Sequence, residues 1–94
     1  VVTGAARGIG RAVAQCFAAE GAELHALDQR AAELDGVARG IRSQGGSATA
    51  WTVDLTDAAA VEACLASIQA GSRAVDVLVS NAGVIVLGAV EEIA

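Results

Sequence analysis

Val1-Val2-Thr3-Gly4-Ala5-Ala6-Arg7-Gly8-Ile9-Gly10 opens the chain, and the reading of the rest depends on it. Val1 to Thr3 reads as the tail of a buried strand. The glycines mark a turn, and the residues after Gly8 open a helix. Gly4 suits a tight turn because it can take a positive φ with no Cβ to clash. Gly8 and Gly10 leave bare N–H groups at the start of the helix. A helix N-terminus carries unpaired donors and a partial positive charge, which favours a phosphate group. The stretch therefore reads as a diphosphate cradle.

The spacing narrows the choice. In the general G-x-G-x-x-G fingerprint read from Gly8, position six is Val13, not Gly or Ala. A P-loop needs Lys after its last glycine; here Arg11 follows Gly10, and the chain has no Lys. Thr3-Gly4-x-x-x-Gly8-x-Gly10 fits instead. In this form the stretch resembles the short-chain dehydrogenase/reductase family.

The rest of the chain alternates. Ile9, Val13 and Phe17 recur every four residues, with Cys16 beside them, as one face of a helix over 8–20 that Gly21 ends. Residues 23–28 read as strand two. Leu34, Val37, Ala38 and Ile41 give a second helix over 31–43, broken by Gly45-Gly46. Strand three spans 47–53. Thr56 or Asp57 can cap a third helix, whose apolar face is Val61, Leu65 and Ile68. Strand four, 75–80, is nearly all apolar, as a strand buried on both faces should be. Asn81-Ala82-Gly83 turns the chain; 84–87 is apolar and could pass for a strand, but reads as a loop packing near the site; and Glu91-Glu92 would open another helix.

This order, βαβαβαβ, predicts an α/β fold: a Rossmann-type, doubly wound parallel sheet. Right-handed crossovers put the first two helices on one face and the third on the other, giving strand order 3-2-1-4. The first residue is Val, already inside a strand pattern. Residues 1–94 are thus expected to be the amino-terminal dinucleotide-binding part of one Rossmann domain, truncated at both ends. The outer edge of strand four is expected to lack a partner within these residues, so the isolated segment is expected to aggregate or associate.

Composition sets limits. The 94 residues carry a net charge of -5, which argues against a nucleic-acid or anionic-membrane surface. No apolar run approaches the ~20 residues that span a bilayer. Cys16 and Cys64 are isolated, as expected of thiols acting as small hydrophobes in a reducing, cytoplasmic compartment. His25, the single His, falls in a strand and reads as a core or sheet-face residue.

Asp28 ends strand two about 20 residues past the glycine turn, where the adenosine ribose of a dinucleotide is expected. A carboxylate there accepts from both ribose hydroxyls and repels a 2′-phosphate, which favours NAD over NADP. Arg7 and Arg30 pull the other way, since each could approach a 2′-phosphate. Asp28 takes precedence because it would occupy the site directly; Arg7 could equally be a solvated loop residue.

Two later stretches extend the resemblance. Asp54-Leu55-Thr56 is similar to the family's short Asp motif, implying that the Asp54 side chain and the Leu55 N–H meet the adenine. Asn81-Ala82-Gly83 resembles the family's Asn-Asn-Ala-Gly, with Ser80 at the first Asn, and implies contact with the nicotinamide-side ribose. The resemblance further implies that Gly4, Gly8, Ile9 and Gly10 hold the pyrophosphate. It implies an oxidoreductase, homo-oligomeric as the complete enzyme, that moves hydride between nicotinamide and a small carbonyl or secondary alcohol. The family's catalytic Ser, Tyr and Lys have no counterparts placed here: the sequence has no Tyr and no Lys. The alternative is a self-contained, non-catalytic dinucleotide-binding module.

Overall fold

The computed structural model describes residues 1–71, 75–80 and 83–86. The elements run β1 (Val2–Thr3), α1 (Gly8–Ala19), β2 (Glu23–Asp28), α2 (Ala31–Ser43), β3 (Ser47–Thr52), α3 (Ala58–Gly71), β4 (Val77–Ser80) and β5 (Gly83–Val86). They form one sheet in the order β3-β2-β1-β4-β5. The first four strands are parallel and carry the expected order 3-2-1-4.

β2 is buried from Leu24 to Asp28 because it has neighbours on both edges and layers on both faces. Leu24 and Ala26 join a core with Val2, Ala14, Ala18, Leu34, Val37, Ala38, Ile41, Ala48 and Val79. α1 and α2 therefore cover one face. Leu27 and Ile68 of α3 are also buried, but outside this cluster. Strand alternation points Leu27 to the opposite face, where a right-handed crossover from β3 to β4 carries α3.

α2 follows its sequence pattern without exception: Leu34, Val37, Ala38 and Ile41 are its buried residues. α1 does not. Its buried residues are Ala14 and Ala18, with Val13 packed at the margin, while Cys16 is exposed, Phe17 is 37% exposed and Ile9 is 84% exposed. The helix lies against the sheet through the small stripe Gly10, Ala14, Ala18, which lets the backbones approach closely. Periodicity of large apolar residues marks the neighbouring face instead. Both helices end in the same way, with Gly21 and Gly45 at positive φ and the following N–H reaching back to Phe17 and Ile41.

At α3 the cap is Asp57, whose Oδ1 accepts from the Ala60 N–H at 3.1 Å. Thr56 turns its hydroxyl to Asp54 instead.

The larger correction concerns 84–87. Gly83–Val86 is a strand, antiparallel to β4, with Ser80 opposite Gly83 and Val77 opposite Val86. The outer edge of strand four is therefore paired, and Gly83 belongs to a strand rather than to the turn. Val84, Ile85 and Val86 are β-branched and favour extended backbone. Only two residues separate the strands, the commonest hairpin link, and pairing satisfies the open edge of β4. The predicted helix at Glu91-Glu92 lies outside the described residues.

On the α3 face, Trp51 Nε1 donates to His25 Nδ1 at 3.0 Å, and His25 Nε2 lies 3.3 Å from Glu23 Oε1. His25 is thus a sheet-face residue, as its strand position predicts.

Cys16 is exposed on α1 and Cys64 half-buried on α3, both as free thiols. Burial raises the pKa of the Cys64 thiol. With the sheet between the two helices, their Cα atoms cannot approach the roughly 7 Å limit for a disulfide. Peptide mapping of the native protein without reductant is expected to find no Cys16–Cys64 bridge; finding one would overturn the placement of α3.

Candidate cofactor site

Parallel strands deliver their carboxyl ends to one edge of the sheet, and the chain places its candidate residues there. Gly4 follows β1, Asp28 ends β2, and Asp54 follows β3. This edge, near the change of winding direction between β1 and β4, is where open α/β sheets bind ligands.

The glycine turn is built as its spacing predicts. Gly4 has φ +66° and Gly8 φ +55°, in the left-handed region that suits glycine. Ala5 and Ala6 are buried beneath it. The third glycine does different work. A Cβ on Gly10 would stand 2.1 Å from the Gly4 carbonyl oxygen and 2.8 Å from its carbon. Gly10 therefore lets the first turn of α1 rest directly on the loop. A Cβ on Gly8 would meet nothing within 4 Å, so the space over Gly8 is open. Arg7 is the N-cap residue of α1 and makes no side-chain cap, unlike Asp57 at α3. An open approach over an uncapped helix start fits a pyrophosphate.

Asp28 is 1% exposed. Its Oδ2 accepts from the Ala6 N–H at 3.2 Å; its Oδ1 accepts from the Arg30 N–H at 3.0 Å and the Arg30 guanidinium at 3.3 Å. Burial pushes this carboxyl up. The N–H groups of Arg30 and Ala6, the Arg30 charge and the Gln29 N–H outweigh it and hold the carboxyl below its ordinary range. Asp28 thus latches the glycine loop to the end of β2, a role that its distance in sequence does not reveal.

Arg7 leaves the loop toward α2. Its Nε and Nη2 meet Glu33 Oε2 and Oε1 at 2.6 and 2.8 Å. The Arg7 hydrogen bond holds the Glu33 carboxyl below its ordinary range, and Glu33 raises Arg7 in return. Sequence reasoning missed Glu33. The available signal was topological: a βαβ unit brings the loop after β1 and the first turn of α2 to the same edge, where a base then faces an acid.

Asp54 is exposed, and its Oδ1 accepts from the Thr56 hydroxyl at 2.7 Å and the Thr56 N–H at 2.9 Å. The Thr56 hydroxyl, then its N–H, lower the Asp54 carboxyl. Leu55 is half-buried in the same turn. Asn81 and Ala82 lie outside the described residues, and Gly83 begins β5. A cavity of about 570 Å³ opens at the opposite end of the sheet, lined by Val2, Phe17, Leu24, His25, Ile68 and Val77. It touches none of these residues. Among the described residues, no cluster of three or more His, Cys, Asp or Glu could hold a metal, and no helix is long and apolar enough to cross a membrane.

The sheet order and the glycine turn at its carboxyl edge define a Rossmann-type fold. The family model described as short chain dehydrogenase matches residues 1–94. The chain belongs to that family. It is 38% identical over 84 residues to 2,3-dihydro-2,3-dihydroxybenzoate dehydrogenase of Bacillus subtilis (strain 168), covering 89% of this chain and 32% of the relative. It is 37% identical over 93 residues to D-threitol dehydrogenase of Mycolicibacterium smegmatis, covering 99% of this chain and 36% of the relative. Among solved structures, a metagenomic short-chain oxidoreductase in complex with NADP superposes with a TM-score of 0.78 at 35% identity, covering 82% of this chain and 35% of that one. The chain thus spans about a third of the length of these relatives.

Proposed function

We propose that this chain is the amino-terminal, cofactor-binding part of an oxidoreductase that moves hydride between nicotinamide and a small carbonyl compound or secondary alcohol. The observation that carries the reading is the glycine turn, latched by Asp28 beside the uncapped start of α1. Gly4, Gly8, Gly10 and the Ile9 backbone would hold the pyrophosphate, Asp28 the adenosine ribose, and Asp54 with Leu55 the adenine. Asn81, Ala82 and Gly83 would line the second ribose. The nicotinamide, when bound, supplies the hydride acceptor or donor. The residues of this chain bind and orient it, and a Tyr and Lys from elsewhere in the enzyme would handle the proton. The two free thiols suit a reducing, cytoplasmic compartment.

NAD is the proposed cofactor. Both arginines at the ribose edge are engaged by carboxylates, Arg7 by Glu33 and Arg30 by Asp28, so the quartet presents no net positive charge to a 2′-phosphate. NADP is the second reading, favoured by those same arginines and by the NADP in the metagenomic relative. Calorimetric titration of NAD and NADP into the enzyme carrying this segment is expected to show tighter binding of NAD. Tighter binding of NADP would reverse the assignment, and binding of neither would sink the dinucleotide reading.

A further inference from the structure

Within the charge quartet, the ion pair between Arg7 and Glu33 is the one that links two separate elements. It joins the glycine loop to the first turn of α2 by two parallel contacts, at 2.6 and 2.8 Å. This forked geometry is the one a guanidinium also offers to a phosphate. Asp28 and Arg30 stand beside it and interact electrostatically with it. We propose that Glu33 determines cofactor specificity by occupying the Arg7 guanidinium, so that a dinucleotide 2′-phosphate finds its strongest local cation already bound. This inference rests on the dinucleotide reading and deepens it.

Three observations support the assignment. The loop that carries Arg7 is tied to the ribose-facing carboxylate through the Ala6 N–H, so Arg7 stands at the ribose end of the site. Two arginines and two carboxylates share that edge. A 2′-phosphate, carrying nearly two negative charges, would meet two like charges there and would have to displace one of them. Finally, the pair is open to solvent, its side chains 60% and 46% exposed. Pairs of this kind contribute little to folding. Glu33 can therefore be removed without dismantling the turn, and its charge is free to serve selection. Its place in the first turn of α2 also puts a negative charge where the helix dipole favours one. That same end of the helix would otherwise attract the phosphate.

The test uses the full enzyme and four proteins: wild type, Glu33→Gln, Glu33→Ala and the double variant Glu33→Gln/Arg7→Gln. NAD and NADP are titrated into each by calorimetry, at low and at moderate salt. Both single variants are expected to bind NADP roughly ten- to a hundredfold more tightly, as one new charge-assisted contact implies. NAD affinity should change less than about threefold, within what a screened surface charge can do. The gain should shrink with added salt and vanish in the double variant, because it passes through Arg7. Glu33→Ala guards against the Gln amide still holding the guanidinium, and thermal unfolding confirms that each variant is folded. Unchanged NADP affinity in both single variants, or a gain that survives loss of Arg7, would overturn the role of Glu33 while NAD binding still upheld the dinucleotide reading. So would a wild type that already prefers NADP. A wild type that binds neither cofactor would remove the dinucleotide reading itself.

Discussion

Gly10→Ala is expected to destabilise the cofactor-free protein by about 3 kcal/mol, the upper part of the usual range for overpacking. The reason is distance. The new Cβ would lie 2.1 Å from the Gly4 carbonyl oxygen and 3.3 Å from the Ala5 Cα. Those atoms are backbone, so no side chain can swing aside. Either the start of α1 lifts off the loop or the loop turns, and both movements disturb the packing of Ala14 and Ala18 on the sheet. Cofactor binding should fall as well, because the N–H groups of the first helical turn no longer point where the loop aims them. Gly8→Ala is the control. Its Cβ enters open space, and the cost comes from the positive φ of 55°, about 1–2 kcal/mol for a non-glycine residue. Thermal unfolding without cofactor and dinucleotide titration, measured on both variants, separate the two glycines. A Gly10→Ala protein that melts with the wild type would show that the helix start does not rest on the turn.

Asp28→Ala is the second large effect. The substitution leaves the buried Ala6 N–H without its acceptor, and the part-buried Arg30 N–H must turn to water. One unsatisfied buried donor costs about 1–3 kcal/mol, and a loss of that size is expected. The pH dependence follows from the direction of the shift. The folded carboxyl sits below its unfolded value, so its contribution is complete well above the ordinary Asp pKa of about 3.9. It is lost as the pH falls through the depressed folded value. The difference in unfolding free energy between wild type and variant should be flat above about pH 5 and shrink on acidification. A difference that instead grew toward acid pH would mean that burial outweighs the hydrogen bonds and raises the folded carboxyl. If Asp28 has its proposed place at the ribose, the variant should also narrow the gap between NAD and NADP, since the carboxylate proposed to exclude a 2′-phosphate has gone. The two proposals are thereby distinguished: stability and selection should both change at Asp28, and selection alone at Glu33.

Most of the scaffold was legible because it depends on regularities that repeat. α2 buries Leu34, Val37, Ala38 and Ile41, and large side chains at helical spacing are what periodicity detects. The strand order followed from alternation and from the handedness of crossovers. α1 was legible in extent but not in orientation, since its contact face is made of Gly10, Ala14 and Ala18 and its bulky Ile9 faces outward. In an alanine-rich helix, close approach replaces apolar bulk as the packing principle. At β5 the loop reading was preferred over the strand because a short apolar run after a glycine has no period to distinguish the two; its pairing to β4 is a property of the sheet edge. At the site, Gly4, Gly8 and Asp28 could be read from spacing. The bonds from Ala6 to Asp28 and from Arg7 to Glu33 span 22 and 26 residues. Only the folded βαβ unit brings those partners together.

The Trp51 contact with His25 has a practical consequence. An indole nitrogen can only donate, so the bond at 3.0 Å requires a lone pair on His25 Nδ1. The neutral ring must then carry its hydrogen on Nε2, on the side of Glu23. Trp51 is the one tryptophan in the chain, and its ring joins β3 to β2 across a register in which it lies opposite Leu27. Its ultraviolet emission is therefore an internal gauge of that seam, placed on the α3 face of the sheet. Separation of β3 from β2 breaks the indole–imidazole bond and changes the local polarity, whereas loss of the loop contact at Ala6 leaves it intact. Within residues 1–94 this one indole thus distinguishes opening of the sheet from loosening of the turn.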